Sequence, residues 1–378
     1  MKTKWQIKKL NDACNVAYGT RVVNKRDGGS LFPVYGGGGA TFFMDEYNRE
    51  DCMVVARFAM SEKCTRFISG KFFLNDSGLT VLPKSSKEIL QEFLDYQLIS
   101  LNDLIYSLAR GSAQKNLDLP AFRKIEISYP ESFPEQRRIV KILDEVFEKT
   151  AKAKENAEKN LKNTKEFFES YLQSVFANCG KDWERRKLKE IGKTQTGLTP
   201  KTANKKYYGD FVPFITPADV DIFGDGVIRY DSRGLSREGL KVGRKIEKNS
   251  ILMVCIGATI GKVGFAAQAV SCNQQINTLT PESKFEAKFF YYALGTKSFF
   301  KKIIKGSSQA TLPIINKGKW ENLVVSFPKS LSEQKFIVKK LDALSAETKK
   351  LEAIYKKKLE DLEELKKSVL KMAFNGEL

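Results

Sequence analysis

The stretch FPEQRRIVKILDEV, residues 133–146, recurs in altered form as LSEQKFIVKKLDAL, residues 331–344. Both copies contain the pattern EQxxIVxxLD, and they lie 198 residues apart. The same offset holds without a gap for about 40 residues and ends where Phe176 corresponds to Phe374. Because an internal repeat is the sequence signature of a duplicated structural unit, the chain is predicted to contain one design twice.

Shorter matches extend the repeat upstream in the same order. GSAQKNL at 111–117 corresponds to GSSQATL at 306–312, and WQIKKL at 5–10 corresponds to WERRKL at 183–188. The chain is therefore predicted to alternate between globular and helical parts. The predicted segments are a globular domain at 1–133, a long helix at 134–178, a second globular domain at 179–331 and a second long helix at 332–378.

Both helical segments carry apolar residues every three or four positions, which is the spacing of a coiled-coil seam. A helix of about 44 residues is about 66 Å long and must bury such a stripe against a partner. The link between the first helix and the second domain is short, so the second helix is predicted to run back antiparallel to the first. The residues predicted to form the helix pair or a partner interface are Ile139, Leu143, Val146, Leu161, Phe168, Ile337, Leu341, Leu344, Leu351 and Leu362.

The globular parts are predicted to mix helices and strands. MVVARFAM at 53–60 and SILMVCIG at 250–257 are short apolar runs typical of buried strands, whereas residues 87–101 and 286–303 have a helical period. The predicted fold class is α+β (mixed α/β), with two globular domains, two long antiparallel coiled-coil helices and a pseudo-two-fold internal repeat.

The chain has a net charge of +19, which favours a polyanion such as nucleic acid as its partner over a membrane surface. The segments 1–133, 134–178, 179–332 and 333–378 carry +3, +1, +13 and +2. The excess therefore lies on the globular domains, chiefly the second. This distribution disfavours a basic helix lying on a membrane and favours two DNA-binding domains held apart by a spacer.

The chain lacks the residues that several kinds of catalytic site require. The chain has no histidine, and its six cysteines form no CxxC pair, so neither an ordinary zinc site nor a His-dependent triad is expected. No P-loop and no Asn/Asp-Pro-Pro-aromatic methyltransferase motif occurs. The N-terminus has no apolar signal region, and no apolar run is long enough for a membrane span. The sequence predicts a cytoplasmic protein that binds rather than catalyses.

Three kinds of loop are candidates for ligand contact, and each has a plain structural alternative. The GSxQ loops offer donors and acceptors for base edges or phosphates, or they only build a turn before a strand. Residues 197–220 interleave lysines with Tyr207 and Tyr208, which suits a nucleic-acid surface or a solvated loop anchored by tyrosines. The run YGGGG at 35–39 lacks phosphate-binding spacing and is a turn or a close approach to a ligand.

Together these features resemble the specificity subunit of type I restriction–modification systems. The resemblance rests on the double EQxxIVxxLD after an apolar strand, and on VPFITPADV at 212–220 and ILMVCIGATIGKVGF at 251–265. It covers essentially the whole chain, although residues 53–70 lack the GxxxGKVG-like loop of the second domain. The resemblance implies two target-recognition domains that each read one half of a gapped DNA target, and no catalysis by this chain.

The resemblance also implies partners. Two modification subunits would use S-adenosylmethionine to methylate adenine, and restriction subunits would cleave with ATP and Mg²⁺, so these cofactors are expected on the partners and none on this chain. The helices would space the half-sites and dock the modification subunits. The candidate DNA-binding residues are Arg21, Lys25, Arg26, Tyr35, Arg66, Lys71, Gln114, Lys115, Asn116, Lys201, Lys205, Lys206, Tyr207, Tyr208, Thr216, Thr259, Lys262, Ser307, Ser308 and Gln309.

One alternative function stays open on the sequence alone. The chain could be a non-catalytic coiled-coil adaptor whose basic domains bind RNA or acidic proteins. Non-specific polyanion binding weakens with salt for every sequence alike, whereas a sequence-specific protein retains one duplex in the presence of competitor DNA. Competition binding therefore separates the two functions.

Overall fold

The computed structural model describes residues 4–178, 180, 182–220, 227–308 and 312–378. The chain forms two compact units: the first comprises Met1–Ala157 and Lys357–Leu378, and the second comprises Glu158–Lys356. Each unit therefore contains one globular part and portions of both long helices. The predicted mixture of helices and strands is confirmed.

The first globular part is built on a six-stranded sheet with strand order β2-β7-β5-β6-β3-β4, beside which β1 pairs with β10. The strands are β1 (Trp5–Lys9), β2 (Cys14–Tyr18), β3 (Phe32–Tyr35), β4 (Phe43–Met44), β5 (Arg49–Ala56), β6 (Thr65–Leu74), β7 (Gly78–Pro83), β8 (Ala109–Arg110), β9 (Asn116–Leu117) and β10 (Glu126–Pro130). The helices are α1 (Leu10–Ala13), α2 (Asn24–Asp27), α3 (Gln91–Ser100), α4 (Asn102–Ser107), α5 (Leu119–Phe122) and the long α6 (Phe133–Ala177).

The second globular part has sheets of order β12-β18-β15-β16 and β14-β13-β17, beside which β11 pairs with β19. The strands are β11 (Trp183–Lys187), β12 (Gly192–Thr196), β13 (Tyr208–Ile215), β14 (Gly234–Leu235), β15 (Ile251–Val254), β16 (Val263–Phe265), β17 (Ser271–Cys272), β18 (Ile276–Pro281) and β19 (Val324–Pro328). The helices are α7 (Arg237–Val242), α8 (Ala287–Leu294), α9 (Lys297–Gly306), α10 (Lys317–Glu321) and the long α11 (Leu331–Phe374), with short 3₁₀ helices at Leu188–Glu190, Lys205–Tyr207 and Pro217–Asp219.

The helical period at 286–303 does not produce a single helix. Gly295 is the C-cap of α8, and the Thr296 hydroxyl accepts a hydrogen bond from the Phe299 amide as the N-cap of α9. Glycine is a poor helix former and threonine is a good N-cap, so this pair ends one helix and begins the next. The apolar period continues across the break because both helices pack against the same core.

The duplication is preserved in the backbone pairing of the two globular parts. Trp5 pairs with Pro130 in the first unit, and Trp183 pairs with Pro328 in the second. In the same way, the pairing of β2 with β7 in the first unit corresponds to the pairing of β12 with β18 in the second. The repeat in the sequence is therefore a repeat of strand register, which is fixed wherever one face of a sheet is buried.

A buried glutamine joins α6 to the first globular part. Gln136 has no exposed surface. Its carboxamide oxygen accepts a hydrogen bond from the Leu90 amide at 2.8 Å, and its Nε2 donates to the Pro130 carbonyl at 2.9 Å. Since Leu90 is the N-cap of α3 and Pro130 ends β10, one side chain connects a helix start, a strand end and the long helix.

The second unit repeats this junction with Gln334, which is also fully buried. Its carboxamide oxygen accepts from the Glu286 amide at 2.9 Å, and its Nε2 donates to the Pro328 carbonyl at 2.8 Å. Glu286 is the N-cap of α8, the counterpart of α3. The glutamine of EQxxIVxxLD thus has the same three-way role in both copies.

The aspartate of the same motif also has one role in both copies. Asp144 accepts a hydrogen bond from the Tyr96 hydroxyl at 2.7 Å. Asp342 accepts one from the Tyr292 hydroxyl at 2.5 Å and forms an ion pair with Lys288 at 2.7 Å. Burial, together with the neighbouring carboxylate, raises the pKa of each tyrosine, so both phenols stay protonated and donate at neutral pH.

Each unit is completed by the far end of a long helix. The last turn of α11 lies in the first unit, where the ring of Phe374 is 5.2 Å from that of Phe93. The last turn of α6 lies in the second unit, where Phe176 is 5.2 Å from Phe289. Such edge-on aromatic pairs add to the stabilisation from the apolar area that they bury.

The first unit shows the direction of its two helix segments. Arg138, near the start of α6, donates to the Leu378 carbonyl at 2.6 Å, whereas Lys154 forms an ion pair with Glu363 at 2.8 Å. Residue numbers rise along one segment while they fall along the other. The segments within this unit are therefore antiparallel.

The residues predicted to face the helix pair or a partner differ in burial. Ile139 and Leu143 are buried in the core of the first unit with Leu370, and Leu341 is buried in that of the second with Leu172. Leu351 is 41% exposed. The half-buried members are Val146, Leu161, Phe168, Ile337, Leu344 and Leu362. A partner interface at these positions stays a prediction.

We expect replacement of either buried glutamine to destabilise the unit in which it lies. Gln136→Leu leaves the Leu90 amide and the Pro130 carbonyl without their partner, at about 1–3 kcal/mol for each buried group. Native-state amide exchange of β10 measures the effect for Gln136→Leu, and exchange of β19 measures it for Gln334→Leu.

The adjacent variant Arg137→Gln is the matched control, because Arg137 is exposed in the first turns of the same helix. It is expected to change stability by no more than about 0.5 kcal/mol. Equal exchange rates in Gln136→Leu and Arg137→Gln would show that the junction is not held by the carboxamide.

Candidate nucleic-acid interface

The glycine-rich run of the first unit is packed against its own chain at one end and open at the other. A Cβ atom at Gly36 would lie 2.2 Å from the Ser77 hydroxyl, and one at Gly37 would lie 2.5 Å from the Phe58 carbonyl. No atom lies within 4 Å of the corresponding positions at Gly38 and Gly39. The first two glycines are therefore required for packing, while the next two leave the backbone accessible.

Arg66 holds this glycine-rich loop in place. Its guanidinium on β6 donates to the carbonyl oxygens of Gly37 and Gly38. A planar guanidinium that bonds two successive carbonyls fixes the path of the loop. The sequence makes Arg66 a candidate DNA contact. In the structure its guanidinium positions the glycine-rich loop of its own unit.

The loop that follows β5 lies beside the glycine-rich loop and carries a residue that the sequence analysis overlooked. Arg57 lies between two aromatic rings, 5.0 Å from the centroid of Tyr18 and 4.6 Å from that of Phe58. Its Nε is buried and has no hydrogen-bond partner among the described residues. Arg57 was hidden in the apolar run 53–60, because that run was interpreted as one strand, whereas β5 ends at Ala56.

The loop GSAQKNL lies against the same segment. The Met60 amide donates to the Lys115 carbonyl at 2.9 Å, and the Ala59 amide donates to Asn116 Oδ1 at 3.3 Å. The Lys115 ammonium donates to the Tyr106 hydroxyl at 2.9 Å, and Gln114 is exposed. The candidates of this loop therefore join the loop after β5 in one cluster of the first unit.

The second unit brings the corresponding loops together. The Leu117 amide donates to the Arg57 carbonyl at 2.9 Å in the first unit, and the Ile315 amide donates to the Cys255 carbonyl at 2.9 Å in the second. The donor and the acceptor in the second unit each lie 198 residues after their counterparts in the first. The Gly257 amide also donates to the Pro313 carbonyl at 3.1 Å. The GSxQ loop and the loop after the central strand are therefore neighbours in both copies.

The candidates of these loops in the second unit have partly structural roles. The Ser307 hydroxyl donates to the Ile304 carbonyl at 2.8 Å, and the Ser308 hydroxyl accepts from the Ile314 amide at 3.3 Å. The Thr259 carbonyl accepts from the Lys262 amide at 3.3 Å, and both of these residues are half-buried. Gln309 lies outside the described residues.

The lysine- and tyrosine-rich segment of the second unit precedes and begins β13. Lys201, Lys205 and Lys206 are exposed. Tyr207 is half-buried, and the Tyr208 hydroxyl donates to the Pro200 carbonyl at 2.8 Å. The tyrosines thus anchor a segment whose cations reach solvent, and a nucleic-acid surface there stays a prediction.

Thr216 begins the 3₁₀ helix after β13. Its amide and its hydroxyl donate to the Asp219 carboxylate at 2.8 Å and 2.7 Å. Burial acts to raise the pKa of Asp219, but hydrogen bonds from Ser232 and Thr216 outweigh it and keep the pKa below its usual range. The Asp219 side chain therefore closes this turn by accepting from both donors of Thr216.

The other candidates of the first unit are spread over its surface. Arg21 and Lys25 are exposed, and Arg26 forms an ion pair with the adjacent Asp27 at 2.8 Å. Tyr35 packs edge-on against Phe72. Among the described residues, no hydrogen bond or ion pair joins Arg21, Lys25 or Arg26 to the loop cluster. The Lys71 ammonium lies 4.6 Å from the centroid of the Tyr47 ring.

The described part of the chain contains no group of three or more His, Cys, Asp or Glu side chains placed to hold a metal ion. None of its helices combines the length and the apolar character needed to cross a bilayer.

We expect Arg66→Gln to release the glycine-rich loop of the first unit. Loss of the two hydrogen bonds to the Gly37 and Gly38 carbonyls should speed amide exchange at Gly37, whose amide donates to the Ser77 hydroxyl, by about tenfold or more, since each bond to a charged donor contributes about 1.5–3 kcal/mol. Arg21→Gln removes the same charge from an exposed side chain and should leave that exchange unchanged. Identical exchange in the two variants would contradict the positioning role.

The chain matches one family model in two segments. Residues 2–163 and 180–361 match the model described as type I restriction modification DNA specificity domain. Each segment contains one globular part and much of the helix that follows it.

Three relatives are specificity subunits of type I restriction enzymes. The MjaIX subunit of Methanocaldococcus jannaschii is 26% identical over 190 residues, which are 50% of this chain and 44% of the relative. The HindI subunit of Haemophilus influenzae is 29% identical over 204 residues, 52% of this chain and 42% of the relative. The MjaVIII subunit of M. jannaschii is 24% identical over 338 residues, 82% of this chain and 76% of the relative. The match thus spans less than half the length of the first two relatives.

Two solved structures share the fold. A chain from a study of complex assembly and conformational transition in the type I R-M system is 18% identical, with a TM-score of 0.78 and coverage of 100% of both chains. The HsdS subunit from Thermoanaerobacter tengcongensis is 18% identical, with a TM-score of 0.57, and 99% of this chain and 97% of that one are covered. At this identity the likeness shows the fold alone.

Proposed function

We propose the function of this chain from one premise: the chain belongs to the family of type I restriction modification DNA specificity domains. The chain acts as the sequence-specific DNA-binding subunit of a type I restriction–modification complex. Each globular part reads one half of a bipartite, gapped target in double-stranded DNA. The chain itself performs no chemistry and selects the site at which its partners act.

The observation that carries this proposal is the duplicated loop cluster. In the first unit Leu117, the last residue of GSAQKNL, bonds Arg57 after β5, and in the second Ile315, just beyond GSSQATL, bonds Cys255 after β15; both partners are displaced by 198 residues. Two similar loop clusters on one chain suit two half-sites. Their side chains differ, with Arg57 in the first cluster and the GATIGK loop in the second, which favours an asymmetric target.

The charge of the chain supports DNA as the partner. The second globular part and its flanks, residues 179–332, carry a net charge of +13. DNA phosphates attract such a surface and supply most of the sequence-independent affinity. Sequence is then read by side chains at base edges, for which the polar loop residues provide donors and acceptors.

The partners follow from the same premise. Two modification subunits bind the chain through equivalent surfaces of its two repeats, because a duplicated chain offers the same contact twice. They methylate adenine with S-adenosylmethionine, and restriction subunits that use ATP and Mg²⁺ join the complex. The long helices set the spacing of the half-sites and dock the modification subunits. The complex acts in the cytoplasm of a prokaryote.

Sequencing of host DNA methylation tests the proposal. The genome is expected to carry an adenine-methylated, gapped motif that disappears when the gene for this chain is deleted and returns on complementation. A control deletion of an unrelated gene should leave the motif in place. Unchanged methylation after deletion would overturn the proposal and favour the adaptor function.

A second experiment tests the spacer role of the helices. Four residues inserted in both helices between the two units, after Ala157 and after Lys356, lengthen each helix by about 6 Å, or about 2 bp of DNA. The gap in the methylated motif should lengthen by about that amount, or activity should be lost. The control inserts four residues into the exposed turn between Ser283 and Lys284, to which no DNA contact is assigned. Full activity with an unaltered gap would contradict the spacer role.

A further inference from the structure

The second globular part contains a basic cavity of about 370 Å³ that no role has yet been given. We propose that this cavity seats one phosphate of a nucleic-acid backbone. The inference rests on the proposed DNA-binding function and adds a defined anion site to it. The cavity is lined by Thr202, Lys205, Tyr208, Gly209, Arg233 and Gly234.

The cavity forms where β13 departs from regular pairing. Both Tyr208 and Val212 of β13 face Leu235 of β14, so residues 209–211 form a bulge. Bulges re-aim side chains and interrupt the regular sheet surface. Gly234 is required beside the bulge, because a Cβ atom there would lie 2.3 Å from the Gly209 carbonyl. The backbone conformation thus creates the concavity, and two glycines leave it open.

The lining has the chemistry of an anion site. Lys205 and Arg233 contribute two positive charges, and Thr202 contributes a hydroxyl donor. No carboxylate is among the described residues that line the cavity. Neither cation takes part in an ion pair within the described parts of the chain.

Arg233 is oriented for an anion by an aromatic ring. Its guanidinium carbon lies 5.4 Å from the centroid of Tyr208, whose hydroxyl is fixed by its bond to the Pro200 carbonyl. A guanidinium stacked on a ring keeps its N–H groups in its own plane, where they can bond two phosphate oxygens. Lys205 supplies a point charge on the same anion.

The same stacking argues against a base as the occupant. A base bound in a pocket usually stacks on an aromatic face, and here Arg233 already covers a face of Tyr208. Next to the cavity, the bulge residue Phe211 is 52% exposed, and Arg237 lies 5.0 Å from its ring. The surface around the cavity therefore continues with cations and an aromatic ring, as expected along a bound nucleic-acid strand.

The experiment compares two double variants of the full chain. Lys205→Gln with Arg233→Gln removes the cations of the cavity, and Arg185→Gln with Lys329→Gln removes two exposed charges from the same globular part, near the start of α11. Binding of a 30-bp duplex is measured by fluorescence anisotropy between about 50 and 200 mM salt. Circular dichroism melting checks that both proteins are folded.

The cavity variant is expected to bind about tenfold more weakly to every duplex, with the slope of log K against log salt reduced by about 0.9, the value for one phosphate contact. The control variant should retain the slope of the unaltered chain to within half of that amount. Equal slopes in the two variants would overturn the site. If the unaltered chain does not bind the duplex either, the proposed function itself fails.

A second arm identifies the source of the phosphate. Inorganic phosphate is titrated into the unaltered chain without DNA, and the Lys205 and Arg233 signals are followed by NMR. A backbone site is expected to bind free phosphate only weakly, at tens of millimolar or above, while single methylphosphonate substitutions in the duplex weaken binding at one position. Tight binding of free phosphate without any change in the DNA salt slope would assign the cavity to a small anion and overturn the proposal.

Discussion

The structure depends on two buried carboxamides. Gln136 and Gln334 each bond a strand end and a helix start to the first turn of a long helix, and both are fully buried. A primary amide suits this position because it donates and accepts in opposite directions without carrying charge. A carboxylate would lack the donor and would carry the cost of burying a charge, while an apolar residue would leave the backbone groups unpaired. The direction in which each long helix leaves its globular part is set by this contact.

Duplication preserves such contacts better than it preserves sequence. The two globular parts share few identical residues outside the helices, yet strand register, the loop contacts and the tyrosine–aspartate bonds recur at fixed offsets. What recurs is mainly backbone pairing, which tolerates exchange of side chains. The residues at the loop tips are not constrained in this way, so the two recognition surfaces can diverge on one scaffold.

The sequence predicted the elements that depend on long-range periodicity and on repetition. The two helices, the mixed class of the globular parts and the repetition of the GSxQ loops followed from apolar spacing and from the internal repeat. Local features of the site were missed because they depend on tertiary contacts. The apolar run 53–60 hides Arg57, Gln136 has no signature apart from its place in the repeat, and the cavity at Arg233 arises from a bulge that sequence pattern alone does not reveal.

The division of the chain into two units has a consequence for its biosynthesis. The first unit includes residues 357–378, and its core contains Leu370 and Ala373 from the end of α11. A ribosome makes the whole second unit before it makes these residues, so the second unit is complete on the growing chain while the first still exposes apolar surface around Phe93. The first unit therefore stays incomplete from the synthesis of residue 157 until residues 357–378 are added, although most of it is made first.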